Sequence, residues 1–325
     1  MHGSPPRRAA AAGALAILAG MLWVVPAGAR PSSRPTWTQV STAASPAARL
    51  VGAMAFDRAR NGVVLFGGFH RGGYLHDTWT FDGGTWRKHR PALSPPGRAG
   101  AGVAYDAPTK SVVLFGGFDG ANDLRDTWVW DGQAWTKEHP SASPPALTGP
   151  MMFTDPVTGH ADLFGGFDGQ FFHLETWEWT GTTWQQLHPA TSPTARGAGI
   201  AELDEANGTV VLFGGLGDVN PDNTWTWDGS NWTQRFPDQQ PPLRFYSGSA
   251  YDPVLGGVVV FGGGSGGGDL GDTWVWTGGR WRRFQPAASP PPRESPGMTF
   301  DRVTGRVVLF GGQSFGTYLQ DTWAL

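Results

Sequence analysis

Short apolar runs alternate along the chain with turns rich in glycine and aspartate. Two such runs cover residues 111–115 and 127–130, and Asp131-Gly132 follows the second. Runs of this length, rich in β-branched and aromatic residues and bounded by turn residues, are typical of β-strands. The chain after residue 29 shows no sustained helical period. The pattern therefore predicts an all-β protein.

The same pattern occurs six times. Phe-Gly-Gly begins at residues 66, 115, 164, 213, 261 and 310, so successive copies are 49, 49, 49, 48 and 49 residues apart. A second marker follows each copy, as in Asp77-Thr78-Trp79, and in five units another Trp, such as Trp86, comes seven residues later. Each unit predicts four antiparallel strands, which in the second unit cover residues 99–105, 111–115, 127–130 and 134–137.

The two ends of the chain complete one unit together. The sixth unit stops at Leu325, before its own last Trp, whereas Trp37 stands before the first full unit. We expect residues 36–41 to pair as the outermost strand beside residues 322–325. This pairing would close a ring of six units.

A period near 50 with four strands per unit and paired glycines resembles the kelch repeat family of β-propellers. The resemblance implies a six-bladed kelch-type β-propeller with four antiparallel strands per blade, in which the N-terminal strand closes the last blade. The blades are expected near residues 47–91, 96–140, 145–189, 194–237, 242–286, and 291–325 with 35–41. Kelch propellers include sugar enzymes, protein adaptors and cell-surface modules, so the fold leaves the function open.

The first 29 residues have the pattern of a secretory signal peptide. Arg7 and Arg8 precede an uncharged run over residues 9–25, and Ala27-Gly28-Ala29 resembles a cleavage site. A retained membrane anchor is the alternative, although the run is short for a bilayer span. With cleavage near Ala29, residues 30–325 would be secreted or periplasmic, without stable membrane insertion.

Composition narrows the chemistry. The 325 residues include 49 Gly, 27 Pro and 17 Trp but no Cys, and the formal net charge is -3. The absence of Cys excludes disulfides and thiolate sites. It also excludes the copper radical chemistry of galactose oxidase, a kelch propeller that depends on a tyrosine crosslinked to cysteine. This net charge gives no reason to expect a nucleic-acid partner. We expect a monomer without a cofactor.

Repeated arginines are the first candidate site. The third unit has Leu147 eight residues before its turn aspartate. The other five units have an arginine at this position: Arg49, Arg98, Arg196, Arg244 and Arg293. Guanidinium groups that converge at one mouth of the propeller could bind a carboxylate, sulfate or phosphate. In the kelch adaptors that this chain resembles, arginines at this position line a pocket for acidic peptides. The alternative is a structural role, in which each Arg binds carbonyl groups of the neighbouring blade.

The loops that follow Phe-Gly-Gly are the second candidate site. They contain aromatic and polar residues that suit a carbohydrate or a peptide: Tyr74, His76, Arg125, Phe172, His173 and Tyr318. We therefore expect an exported, non-catalytic binding module for an acidic glycan or peptide. The alternative is a cofactor-free carbohydrate enzyme similar to the kelch-type N-acetylneuraminate epimerase, with Glu294 or His76 as its acid or base.

Overall fold

A computed structural model describes residues 1–2, 35–217 and 223–325, and residues 35–325 form one compact unit. Apart from its first two residues, the predicted signal peptide lies outside the described residues. From the N-terminal strand to the third blade, the strands are β1 (Thr38–Val40), β2 (Ala53–Asp57), β3 (Gly62–Phe66), β4 (Phe69–His70), β5 (Gly73–Tyr74), β6 (Thr78–Phe81), β7 (Trp86–His89), β8 (Gly102–Asp106), β9 (Ser111–Phe115), β10 (Thr127–Trp130), β11 (Trp135–Lys137), β12 (Met151–Thr154), β13 (Ala161–Phe167), β14 (Phe172–Trp179) and β15 (Trp184–Leu187).

The second half of the ring repeats the arrangement of the first. Its strands are β16 (Arg196–Gly197), β17 (Ile200–Asp204), β18 (Thr209–Phe213), β19 (Leu216–Gly217), β20 (Thr224–Trp227), β21 (Trp232–Arg235), β22 (Gly248–Asp252), β23 (Gly257–Phe261), β24 (Gly264–Ser265), β25 (Gly268–Asp269), β26 (Thr273–Thr277), β27 (Arg280–Phe284), β28 (Gly297–Asp301), β29 (Arg306–Phe310), β30 (Gln313–Ser314), β31 (Thr317–Tyr318) and β32 (Thr322–Ala324). Within the described residues, no helix is long and apolar enough to cross a membrane.

Six four-stranded antiparallel sheets form the blades of a β-propeller, which confirms the predicted fold class. In chain order, the blades are β2-β3-β6-β7, β8-β9-β10-β11, β12-β13-β14-β15, β17-β18-β20-β21, β22-β23-β26-β27 and β28-β29-β32-β1. Their innermost strands contact one another in a closed cycle. The apolar side chains of neighbouring blades pack together, so the core consists of six interfaces between blades.

The N-terminal strand closes the ring, as the chain ends predicted. Thr38 lies opposite Ala324, and Val40 lies opposite Thr322. Trp37 is 1% exposed, and its indole N–H donates to the Thr273 hydroxyl of the fifth blade at 3.2 Å. The first residues of the propeller therefore hold its last blade.

The repeated Trp and Thr residues form an outer ring of hydrogen bonds. In every blade, the indole N–H of the fourth-strand Trp donates to the threonine hydroxyl of the preceding blade's second marker, at 2.9–3.2 Å. The pairs are Trp86–Thr322, Trp135–Thr78, Trp184–Thr127, Trp232–Thr176, Trp281–Thr224 and Trp37–Thr273. Each bond satisfies a buried indole and joins two blades.

A second ring, made of backbone groups, surrounds one end of the central channel. Six equivalent residues have left-handed backbone conformations, with φ between 46° and 66°: Val51, Gly100, Gly149, Ala198, Tyr246 and Ser295. The amide of each donates to the carbonyl of its counterpart in the preceding blade at 2.7–3.1 Å, and Val51 closes the cycle by donating to Ser295.

This inner ring corrects one predicted boundary. The first strand of the second blade was expected over residues 99–105, but β8 begins only at Gly102. Gly100 has a φ of 66°, which is incompatible with an extended strand. The amide of Gly100 instead binds the first blade.

The paired glycines turn the chain toward the neighbouring blade. Gly67 and Gly68 have φ values of 63° and 104°. A Cβ on Gly67 would lie 2.7 Å from the Arg98 carbonyl oxygen, and the Gly68 amide donates to that same oxygen at 2.8 Å. Glycine is required here for both backbone conformation and close approach.

Candidate ligand-binding face

The repeated arginines are buried inside the blades. Arg98 is 1% exposed, and its two terminal nitrogens donate to the two carboxylate oxygens of Asp126 at 2.6 and 2.9 Å. It also donates to the carbonyl of Gly116, the first glycine of Phe-Gly-Gly, at 3.0 Å. The same contacts recur in three other blades: Arg49 with Asp77 and Gly67, Arg244 with Asp272 and Gly262, and Arg293 with Asp321 and Gly311.

Each of these aspartates also binds the Trp of its own marker. In the second blade, Asp126 accepts the Trp128 indole N–H at 2.7 Å. Burial raises the pKa of Asp126, but the hydrogen bonds and charge of Arg98, together with Trp128, outweigh burial and lower the pKa below its ordinary value. The carboxylate stays ionised and links the Arg segment to the start of β10.

Blades three and four depart from this arrangement. In blade three, Leu147 replaces the Arg and Glu175 replaces the Asp. Glu175 turns instead to His173, with 3.1 Å between its Oε2 and the imidazole Nδ1. In blade four, Arg196 remains fully buried and donates to the Thr194 carbonyl and hydroxyl at 3.0 and 2.7 Å.

The expected Arg-lined mouth is therefore wrong. The five arginines are at most 1% exposed, so no guanidinium is open to a ligand: Arg49, Arg98, Arg196, Arg244 and Arg293. The structural alternative came closer, but it missed the main partner. In four blades that partner is an aspartate of the same blade, and two carbonyl groups accept the remaining hydrogen bonds. A buried guanidinium is tolerated because its charge and donors are satisfied there.

The face of the propeller beside the inner ring carries the segments that follow Phe-Gly-Gly; we call it the hairpin face. Three of these segments form two-stranded hairpins, β4–β5, β24–β25 and β30–β31. Isolated bridges tie the segments to the chain entering their blades, as between Leu50 and Phe69 or between Ala99 and Phe118. The loops are thus attached to a rigid ring, which suits a binding surface.

Five rings on this face form a continuous group that we call the aromatic strip: Tyr318, His70, Phe69, Tyr74 and Phe118. Phe69 lies 5.0 Å from Tyr74 and 6.1 Å from Tyr318, as measured between ring centroids. His70 lies 5.5 Å from Tyr318, and Tyr74 lies 5.7 Å from Phe118. The strip crosses blades six, one and two, and all five side chains are partly exposed.

A glycine of the second blade makes room for the middle of the strip. A Cβ on Gly120 would lie 2.6 Å from the Tyr74 ring. Gly120 also has a φ of 103°, a conformation that favours glycine. The first-blade hairpin is consequently held against the loop of the second blade, with one side of Tyr74 covered.

Exposed basic side chains stand on the same loops. Arg71 occupies the turn between β4 and β5, His76 follows that hairpin, and Arg125 precedes the second marker of blade two. Among the ion pairs of the described residues, none involves Arg71 or Arg125. Their charges remain available to an anionic group.

Two predicted residues lie apart from the strip on blade three. The ring of Phe172 packs against that of Phe167, with 4.9 Å between their centroids. His173 lies 3.0 Å from an oxygen of Asp168. Backbone hydrogen bonding from Phe171 and the contact with His173 lower the pKa of Asp168 to about 2. His173 thus already has carboxylate partners.

The candidate residues for the enzymatic alternative are not brought together by any contact in the described chain. Glu294 accepts a hydrogen bond from the Gln313 amide on blade six, whereas His76 is exposed on blade one. Burial, followed by the charge of Glu294, raises the pKa of Tyr246. Tyr246 lines a cavity of about 140 Å³ at the inner ring, together with Ser247 and Ser295.

Sequence reasoning found Tyr74 and Tyr318 but missed the residues that connect them. Phe follows Phe-Gly-Gly in the first three units, at Phe69, Phe118 and Phe167. This recurrence was the available signal, since a residue directly after the glycine turn must lie on the hairpin face. Of the fourth-blade loop, residues 218–222 lie outside the described chain.

No group of three or more His, Asp or Glu side chains in the described part of the chain could hold a metal ion. Compared with protein-family models and with curated proteins, the chain gives no match to either. The identification of a six-bladed propeller therefore rests on the sequence repeat and on the strand pairing.

Proposed function

We propose that this protein is an exported kelch-type propeller that binds an acidic glycan or peptide, without transforming it, along the aromatic strip. The continuity of the strip carries the proposal. Five rings connect three blades through centroid distances of 5.0–6.1 Å. Partly exposed aromatic rings on loops of a rigid scaffold are a common basis for ligand recognition.

The length of the strip favours an extended ligand. A chain molecule could contact Tyr318, Phe69 and Tyr74 in succession, whereas a single small molecule would cover one blade. Rings supply large contact areas at low entropic cost, and Tyr hydroxyls and His70 add hydrogen bonds. Both sugar chains and peptides offer the required combination of apolar and polar groups.

The acidic preference rests on Arg71 and Arg125 rather than on the repeated arginines. Both are exposed, and neither takes part in an ion pair among the described residues. Guanidinium groups bind carboxylates and sulfates through paired hydrogen bonds. An acidic group on the ligand would gain such contacts beside the strip.

Binding to arrays of acidic glycans, neutral glycans and peptides tests the proposal. The combined change Tyr74→Ala and Tyr318→Ala should weaken binding at least tenfold, about 1.4 kcal/mol. Phe172→Ala is the matched control, because it removes a ring of the same face outside the strip, and it should bind like the original protein. Arg71→Gln with Arg125→Gln should reduce the preference for acidic ligands.

Two results would refute the proposal. Equal binding by the strip variant and the control would show that the strip is not the binding surface. Recovery of a chemically altered ligand after incubation would favour the carbohydrate-enzyme alternative.

A further inference from the structure

The end of the channel opposite the hairpin face contains a small chamber. It has a volume of about 110 Å³ and lies among the final residues of the innermost strands. Its walls include Met54, Met152 and Met298, and its charged residues are Arg58, Glu202, Glu205 and Arg302. One water occupies roughly 30 Å³ in the liquid, so the chamber admits only a small molecule.

Three charged side chains cross the outer entrance. Glu205 of blade four accepts hydrogen bonds from Arg58 of blade one, at 2.8 Å, and from Arg302 of blade six. Both guanidinium groups share a single carboxylate oxygen, Oε1. Blades one and four lie on opposite sides of the six-bladed propeller, so the Arg58–Glu205 ion pair reaches across the channel.

Glu202 lies deeper in the same chamber. The Ser249 hydroxyl donates to its carboxylate at 3.3 Å, and the Tyr251 backbone amide also hydrogen-bonds it. Burial raises the pKa of Glu202 to about 7; the charge of Glu205 adds to the rise, whereas that of Arg58 opposes it. The remaining titratable groups of the chamber are Arg302 and the phenols of Tyr105 and Tyr251.

These four charged residues depart from the repeat. Pairing register places Glu202 where the other blades have Ala55, Ala104, Phe153, Ala250 and Thr299. The position after the turn aspartate carries a charge in three blades only, at Arg58, Glu205 and Arg302. Uncharged residues serve the architecture at the same positions elsewhere, so the charges are not required for folding.

We propose that this chamber binds a small zwitterion of the amino-acid type, with its ammonium group on Glu202 and its carboxylate on Arg58 and Arg302 in place of Glu205. Glu205 then acts as an internal competitor that holds the two guanidinium groups when the chamber is empty. Each charge of the ligand meets an opposite charge, which gives selectivity over molecules that carry only one of them.

Calorimetric titration with straight-chain ω-amino acids of two to six carbons tests the proposal. At least one should bind ten times more tightly than both the carboxylate and the amine of equal length. Glu202→Gln should abolish the advantage over the carboxylate of equal length, and Glu205→Gln should raise affinity severalfold by weakening the competitor. Because the ammonium group keeps Glu202 ionised, binding near pH 7 should release protons, measured in buffers of different ionisation enthalpy.

The variant of the aromatic strip, Tyr74→Ala with Tyr318→Ala, should bind the amino acid normally, which separates this proposal from the proposed function. Thermal melting checks that each variant is folded. Absence of binding across the series, equal binding of the three probe classes, or weaker binding by folded Glu205→Gln would overturn the proposal.

Discussion

A buried arginine and the aspartate 28 residues later form the basic electrostatic contact of four blades. The sequence presented these arginines as a possible ligand site because a regular Arg position is compatible with either role. The loss of Arg and Asp together in blade three, at Leu147 and Glu175, was the signal that they pair. The direction of the Arg side chains distinguishes a ligand site from a structural role, and the spacing of residues along the sequence does not specify that direction.

Replacing Arg98 with Leu should destabilise the protein strongly. The change removes the shared partner of the Asp126 carboxylate and the Gly116 carbonyl, and removing one member of a buried pair costs about 3–5 kcal/mol. Thermal melting should show a fall of roughly 2–4 °C for each kcal/mol. Arg125→Leu, an exposed position, is the control, and equal melting temperatures would contradict the structural role.

Asp162 is a residue that the repeat does not account for. It is 0% exposed, and neither carboxyl oxygen has a hydrogen-bond partner. The other blades carry valine at the equivalent position: Val64, Val113, Val211, Val259 and Val308. Burial, together with the charges of Asp155 and Glu178, raises the pKa of Asp162 well above its ordinary value.

Asp162→Val should therefore stabilise the protein, by about 1–3 kcal/mol if the cost is that of an unsatisfied buried polar group. The raised pKa makes the native state hold a proton that the unfolded state releases, so the original protein loses stability as pH rises above the ordinary carboxyl range. The gain in melting temperature from Asp162→Val should therefore grow as pH rises from the ordinary carboxyl pKa toward the raised pKa of Asp162. Val113→Asp, the reverse change in blade two, should destabilise; a lower melting temperature for Asp162→Val would refute the explanation.

At the scale of elements, the sequence predicted the middle of the strands better than their beginnings. Apolar runs and turn residues located β9 and β10 at their observed bounds. The start of β8 was misplaced because the inner ring, a contact between blades, takes the backbone of Gly100 out of the strand. Such a ring depends on the whole assembly, and local propensity carries no information about it.

The closing strand can be tested by removing it. A chain that begins at residue 42 should melt many degrees below one that begins at residue 30, because it lacks the β1–β32 pairing and the buried Trp37. A peptide covering residues 30–41, added in excess, should restore part of the loss by occupying the exposed edge of β32. Identical melting of the two chains would show that the ring does not need this closure.

At the scale of the whole molecule, residues repeated in all or most blades build the ring, whereas the two candidate sites consist of residues that recur in some blades or stand in one blade alone. Arg, Asp, Thr and Trp at recurring positions form hydrogen bonds within and between blades. Glu202 and Glu205 stand at positions where no other blade has an acidic residue. The sequence could identify the loops that vary, but it could not predict that Phe69 would join Tyr74 to Tyr318 across two blades.

The division between architecture and recognition is tested most directly by measuring the affinity of one array-selected ligand for two variants under conditions where both are folded. Arg98→Leu should melt at a lower temperature yet bind within about twofold of the original protein, because its guanidinium faces Asp126 inside the blade. Tyr74→Ala should keep most of its stability and bind at least tenfold more weakly. Loss of affinity in Arg98→Leu with full affinity in Tyr74→Ala would contradict the account.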